Sequence, residues 1–143
     1  INDLDSIQNI PKHSKVELKI DTGMHRNGVH VSEINQALDM IDSRQQILKG
    51  VFTHFANPYK GSSMLRQKEK FDKLKEEINI NYPDKYIRFH CSSSPSIFLI
   101  SNEEYDLARI GLALYGYVDL PQKKQSQNLK PIMSLWADKI SCR

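Results

Sequence analysis

Leu18-Lys19-Ile20-Asp21-Thr22-Gly23-Met24-His25-Arg26-Asn27-Gly28-Val29 is the stretch from which the fold is read. Apolar Val16, Leu18 and Ile20 alternate with charged Glu17, Lys19 and Asp21. That period of two predicts a β-strand over 15–20. The second half breaks into a turn carrying Gly23 and Gly28 around Arg26. A strand ending in a glycine-punctuated loop is how α/β enzymes hold a charged group at the mouth of a site. Here the loop would hold Arg26, with Lys19 one face-repeat before Asp21. The plain structural alternative for Lys19 is an ion pair with Asp21 or with a neighbouring strand.

The same pattern recurs along the chain. Residues 1–14 are polar, with Pro11 as a breaker, and read as the tail of a helix plus a loop. A helix is expected over 32–43, capped by Ser32, with Ile34, Leu38 and Ile41 as its apolar stripe. A second strand is expected over 47–55, and a second helix over 63–80 with Met64, Phe71, Leu74 and Ile78 on one side. A third strand, 86–91, leads through Ser92-Ser93-Ser94 into a short helix, with Pro95 in its first turn. A fourth strand, 105–110, is followed by Gly111 and another short helix ending near Gly116. Residues 117–130 read as a surface connection and 132–141 as a last strand outside the rhythm. Strand and helix alternating four times predict parallel strands with helical crossovers, hence part of a barrel or of a doubly wound sheet.

Each of the four strands carries an ionisable residue near its C-terminal end: Lys19, His54, His90 and Arg109. Parallel strands aim those ends the same way, and a barrel assembles its active site there. One such histidine alone would usually be a hydrogen-bonded core residue; four placed alike favour a site. Ser92-Ser93-Ser94 and Gly111-Leu112 each open a helix, so hydroxyls and free N–H groups there suit an anion such as phosphate. Simple N-capping by serine is the bland alternative, weakened by the neighbouring Arg109-Ile110-Gly111.

Length bounds the answer further. A complete (β/α)8 barrel needs roughly 250 residues and rarely under about 200, whereas this chain has 143 and starts at Ile1 rather than Met. A piece of a longer chain is expected. The net charge of +3 carries no long single-sign run and makes no case for nucleic acid. Cys91 and Cys142 form no C-x-x-C pair and read as reduced thiols, with no metal site expected. No apolar run approaches the roughly 20 residues of a membrane span, and no signal peptide is evident.

With these residues in view, the chain resembles the alanine racemases, which use pyridoxal 5'-phosphate (PLP). Leu18 to Val29 is similar to their lysine, Asp-Thr-Gly-Met and arginine signature. Thr53-His54-Phe55-Ala56, Phe89-His90-Cys91-Ser92-Ser93-Ser94 and Arg109-Ile110-Gly111-Leu112-Ala113-Leu114-Tyr115-Gly116 resemble later family segments in the same order. The resemblance implies about four βα units of a TIM-type (β/α)8 barrel over 1–120. Residues 121–143 would be the connection and first strand of a C-terminal β domain. It implies that His54 lies against the PLP ring and that Arg109 faces the pyridine nitrogen. Ser93, Ser94, Gly111 and Leu112 would hold the phosphate, and His90 would orient toward Arg109. Arg26 would bind the substrate carboxylate and the cofactor phenolate, and Lys19 would be a carbamylated lysine orienting Arg26. The resemblance further implies a cytoplasmic homodimer that interconverts L- and D-alanine and supplies D-alanine for peptidoglycan.

Two residues depart from the family pattern: His25, where glycine is more usual, and Ser93, where asparagine is usual. The Val-Lys-Ala-type motif bearing the cofactor-anchoring lysine is missing, and the second base, a tyrosine of the C-terminal domain contributed across the dimer, is not recognisable. Racemisation needs a base on each face of Cα. The full-length protein is therefore expected to racemise alanine and these 143 residues alone are not. The rivals are a serine or broad-specificity racemase of the same fold, and a PLP-binding barrel without catalysis. A half barrel would also leave strand edges and an apolar face open, so the isolated piece is expected to self-associate.

Overall fold

The computed structural model describes residues 1–101, 103–118, 120, 128–138 and 140. In chain order the regular elements are α1 (Leu4–Asn9), β1 (Lys15–Asp21), β2 (Val29–His30), α2 (Ile34–Ser43), β3 (Ile47–Phe52), α3 (Gly61–Asn81), β4 (Arg88–His90), β5 (Ser92–Ser93) and β6 (Ala108–Arg109). Short 3-10 turns lie at Val31–Glu33, Ser96–Phe98 and Leu112–Tyr115.

All ladders among the described residues are parallel. The main sheet runs β2-β1-β3-β4, and β5 pairs with β6. Only Cys91 separates β4 from β5, so one extended run changes partner from β3 to β6. Apart from the two-residue β2, which pairs on the far edge of β1, the strands β1, β3 and β4 lie side by side in chain order. Val16, Leu18 and Ile20 share one buried cluster with Ile34, Leu38 and Ile41 of α2 and Met64, Phe71, Leu74 and Ile78 of α3. Both helices thus cover one face of the sheet. Helix-linked strands β1, β3 and β4 in sequential order with helices on one face are barrel geometry; a doubly wound sheet would reverse order across a helical crossover and carry helices on both faces. Fully buried Phe71 meets Phe89 edge-on at 6.3 Å and locks α3 to β4. Truncating such a phenylalanine typically costs about 3–5 kcal/mol.

Several boundaries differ from expectation. α2 is entered through a 3-10 turn capped by His30, whose ring accepts the Ser32 N–H, so Ser32 is not the cap. Pro95 stands at the cap of a 3-10 turn rather than inside a helix. β3, β4 and β6 are shorter than the apolar runs that announced them, because regular pairing lasts only where a partner strand is in register. Residues 132–138 and 140 form no strand; Leu135 and Trp136 are 97% and 89% exposed and pair with nothing that would make them one. The rest of the expected last strand and the 121–127 connection lie outside the described residues. At the other end, Ile1 donates to the Glu17 carbonyl and accepts from the Lys19 N–H, the two bonds of a parallel bridge. Residue 1 therefore lies on the edge of β1, and the helix expected in this region begins only at Leu4.

Candidate active site

The opposite face of β1 carries Glu17, Lys19 and Asp21, each with a separate task. Asp21 folds the following loop: its Oδ1 accepts the N–H groups of Gly23, Met24 and His25 at 2.9, 2.8 and 3.1 Å. Burial alone would raise its pKa, but these donors and His25 outweigh it and hold the carboxyl below the usual range. The loop needs unusual backbone. His25 has φ of 55°, which explains why glycine would be at ease there. At Gly28 a Cβ would sit 2.8 Å from the Asp21 nitrogen.

Lys19 does not pair with Asp21; its Nζ donates to Asn27 Oδ1 instead. The side chain is buried, and burial followed by the charges of Arg26 and Arg109 lowers its pKa. Arg26 itself is exposed at the loop tip.

The ends of β3 and α3 are tied by a directional chain of hydrogen bonds. Gln67 Nε2 donates to Thr22 Oγ1 at 3.3 Å. Thr53 Oγ1 donates to the Ile20 carbonyl at 2.9 Å, which leaves the Thr22 hydroxyl to donate across the 2.8 Å Thr22–Thr53 contact. Gln67 also accepts the Ala56 N–H at 3.0 Å. This clamps both sides of His54. Sequence reasoning passed Gln67 over; the available signal was an amide inside the apolar stripe of α3, between Met64 and Phe71.

Arg109 ends β6 and is held from several sides. Its Nη1 donates to His90 Nδ1 at 2.5 Å and its Nη2 to the Thr53 carbonyl at 2.6 Å. The guanidinium lies 4.8 Å from the Phe52 ring centre, a cation–π distance. Arginine cannot accept, so His90 must present a lone pair on Nδ1 and carry its proton on Nε2, which faces Glu17 Oε2 at 3.2 Å. Burial and then the Arg109 charge lower the His90 pKa, in keeping with a neutral ring. His54 is lowered likewise, by burial first and then by Arg109, Arg26 and Lys19.

His54, Ser93, Ser94, Arg109, Gly111 and Leu112 line one cavity of about 750 Å³, together with Met24 and Tyr59. On its wall, Ser94 Oγ accepts the N–H groups of Gly111 and Ala113 at 2.8 and 3.2 Å. A Cβ on Gly111 would point at that same oxygen from 3.9 Å. The two N–H groups thus fix the Ser94 oxygen where glycine leaves room, and the hydroxyl proton they leave over is suited to donate to a phosphate oxygen. Ser93 is turned to Ser96, its N–H donating to Ser96 Oγ at 2.7 Å. The structure brings Lys19, His54, His90 and Arg109 to one end of the sheet. Arg26 does not line the cavity, though its charge acts on Lys19 and His54.

The sequence profile described as "Alanine racemase, N-terminal domain" matches residues 1–119. The chain belongs to this family. It is 43% identical, over its whole length, to 44% of an alanine racemase from a Nitratiruptor species. It is 37% identical to 43% of one from Campylobacter concisus. The chain thus spans less than half the length of these curated relatives. Among solved structures, alanine racemase from Corynebacterium glutamicum superposes with a TM-score of 0.69 at 27% identity, covering 88% of this chain and 35% of that one. The Clostridium difficile 630 enzyme in complex with cycloserine gives 0.74 over 92% of this chain and 39% of that one. At 22% identity that second likeness speaks for the fold alone. The fold is accordingly an α/β portion of a TIM-type barrel.

Proposed function

We propose that this chain is the cofactor-cradling portion of a longer, PLP-dependent alanine racemase. The observation that carries the reading is the cavity wall on which the Ser94–Gly111 cradle, His54 and Arg109 meet in a member of this family. The surrounding cations, Lys19, Arg26 and Arg109, call for an anionic ligand. PLP, when bound, supplies an electron sink for the pair left behind as the substrate Cα–H proton departs.

The chain's own residues then act as follows. Ser94, through its hydroxyl proton, and the Gly111–Leu112 backbone beside it would hold the phosphate, with Ser93 adjacent. His54, on the cavity wall, would lie against the ring. Arg109 has five N–H donors, of which the bonds to His90 and Thr53 use three. It offers the remainder to the ring nitrogen and, as a guanidinium, gives up no proton there. That donor would leave the ring nitrogen of bound PLP unprotonated, a weaker electron sink suited to plain proton removal and return. Arg26 binds the substrate carboxylate and the phenolate oxygen through charge-assisted bonds. Lys19, its amine made available by burial and neighbouring cations, adds CO2 with loss of one proton; the resulting carbamate anion braces Arg26.

The two proton-transferring bases come from parts of the protein beyond this segment, one of them across a homodimer. The enzyme works in the cytoplasm and feeds D-alanine to peptidoglycan. The test is to incubate full-length protein with PLP and L-alanine and assay D-alanine. D-Alanine is expected from the full-length enzyme and none from residues 1–143 alone. A full-length protein that binds PLP but forms no D-alanine overturns the reading.

A further inference from the structure

Glu17 does not line the cavity. Its two oxygens are divided. Oε1 pairs with Arg88 Nη2 at 2.5 Å, and Oε2 meets His90 Nε2 at 3.2 Å. The register explains how one carboxylate reaches so far. Glu17 pairs with Gly50 of β3, and Gly50 pairs with Arg88 of β4. Glu17 and Arg88 therefore flank a middle strand and stand two strand spacings, roughly 10 Å, apart at the backbone. Only an absent side chain lets them meet: a Cβ on Gly50 would lie 2.9 Å from Glu17 Oε1. The next row on the same face of the sheet is Lys19, Phe52 and His90. There His90 stacks on Phe52 at 5.0 Å, which leaves its ring edges free for Glu17 on one side and Arg109 on the other.

We propose that Glu17 is a positioning residue for Arg109, acting through His90. By accepting the Nε2 proton, Glu17 selects the tautomer whose Nδ1 lone pair receives Arg109. The other tautomer would set an N–H against the guanidinium N–H and push it away. Arg88 satisfies the second carboxylate oxygen, so the carboxylate stays anchored without transferring charge to the imidazole. Gly50 is the clearance that makes the arrangement possible. The consequence for catalysis rests on the reading that Arg109 contacts the cofactor ring.

The test uses the cofactor-free full-length protein, labelled with 15N at the histidine rings and read by NMR. Wild-type His90 is expected to be neutral and protonated on Nε2. Glu17→Ala should lose that preference, while Glu17→Gln, whose carbonyl still accepts, should keep it. In the PLP-loaded enzyme, kcat/KM for L-alanine should fall about tenfold in Glu17→Ala and stay within about threefold of wild type in Glu17→Gln. A wild-type His90 protonated on Nδ1, or doubly protonated at neutral pH, overturns the proposal without any variant. So does a Glu17→Ala protein with unchanged tautomer, or a Glu17→Gln protein as impaired as Glu17→Ala. If full-length protein shows the expected His90 response but no racemisation, the functional reading fails and the Glu17–His90–Arg109 relay stands.

Discussion

Replacing Ser94 by alanine separates the phosphate cradle from every other part of the site. The Ser94 oxygen accepts two backbone N–H groups, from Gly111 and Ala113, and its own proton remains to donate. In the proposed complex with PLP that proton would go to a phosphate oxygen. A hydrogen bond to a charged group contributes about 1.5–3 kcal/mol net. At about 1.4 kcal/mol per factor of ten, Ser94→Ala should weaken PLP binding roughly 10- to 100-fold. Folding stability should change by less, about 1 kcal/mol, because Gly111 is exposed and Ala113 only half-buried, so water can reach the freed N–H groups. The assay is an absorbance titration of cofactor-free full-length protein with PLP and, in parallel, with pyridoxal. Pyridoxal lacks the phosphate, so its affinity should not change. Equal losses for both ligands, or an unchanged PLP affinity, would refute the assignment of Ser94 to the phosphate.

Three further outcomes are expected. Gly50→Ala in the full-length protein should destabilise by about 1–3 kcal/mol, since the new Cβ meets Glu17 Oε1 at 2.9 Å and the Arg88 carbonyl at 3.2 Å; an unchanged urea midpoint would show that the row can absorb a methyl. His54 and His90 both have pKa values lowered from 6.5, by burial first and Arg109 next, so the unfolded chain binds more protons in acid. Their contribution is intact above about pH 6.5 and is lost as pH falls through that value, so urea midpoints should drop from about pH 7 to about pH 5; a His54→Gln, His90→Gln variant with the same acid slope would contradict this. Native mass spectrometry of folded full-length protein in bicarbonate buffer should show one added CO2 that disappears in Lys19→Arg; an unmodified wild-type lysine would remove the carbamate from the account.

The fold was legible because its signals are local. Alternation at 16–20, an apolar stripe at Ile34, Leu38 and Ile41, and a second stripe on α3 each follow from the period of one element. The placement of Lys19, His54, His90 and Arg109 was legible for the same reason: parallel strands share a direction, so their C-terminal ends share an end of the sheet. Choosing between barrel and doubly wound sheet required strand order and the single helix-covered face, which no local period encodes. Gln67 and Glu17 were invisible as working groups for a related reason. Gln67 acquires its role from Thr22 and Ala56, and Glu17 from Arg88 and His90, residues far away in sequence.

The chain by itself therefore determined where strands β1, β3, β4 and β6 lie and which faces they bury, but not that 132–138 would form no strand or that Arg26 would stand outside the cavity wall. Backbone periodicity and turn chemistry are properties of neighbouring residues. Only the tertiary structure decided which polar groups become partners: that Gly50 opens a passage for Glu17, that His90 offers Nδ1 to Arg109, and that Ser94 meets the N–H of Gly111. Hydrogen bonds act over about 3 Å, and only the packed fold brings residues so distant along the chain that close.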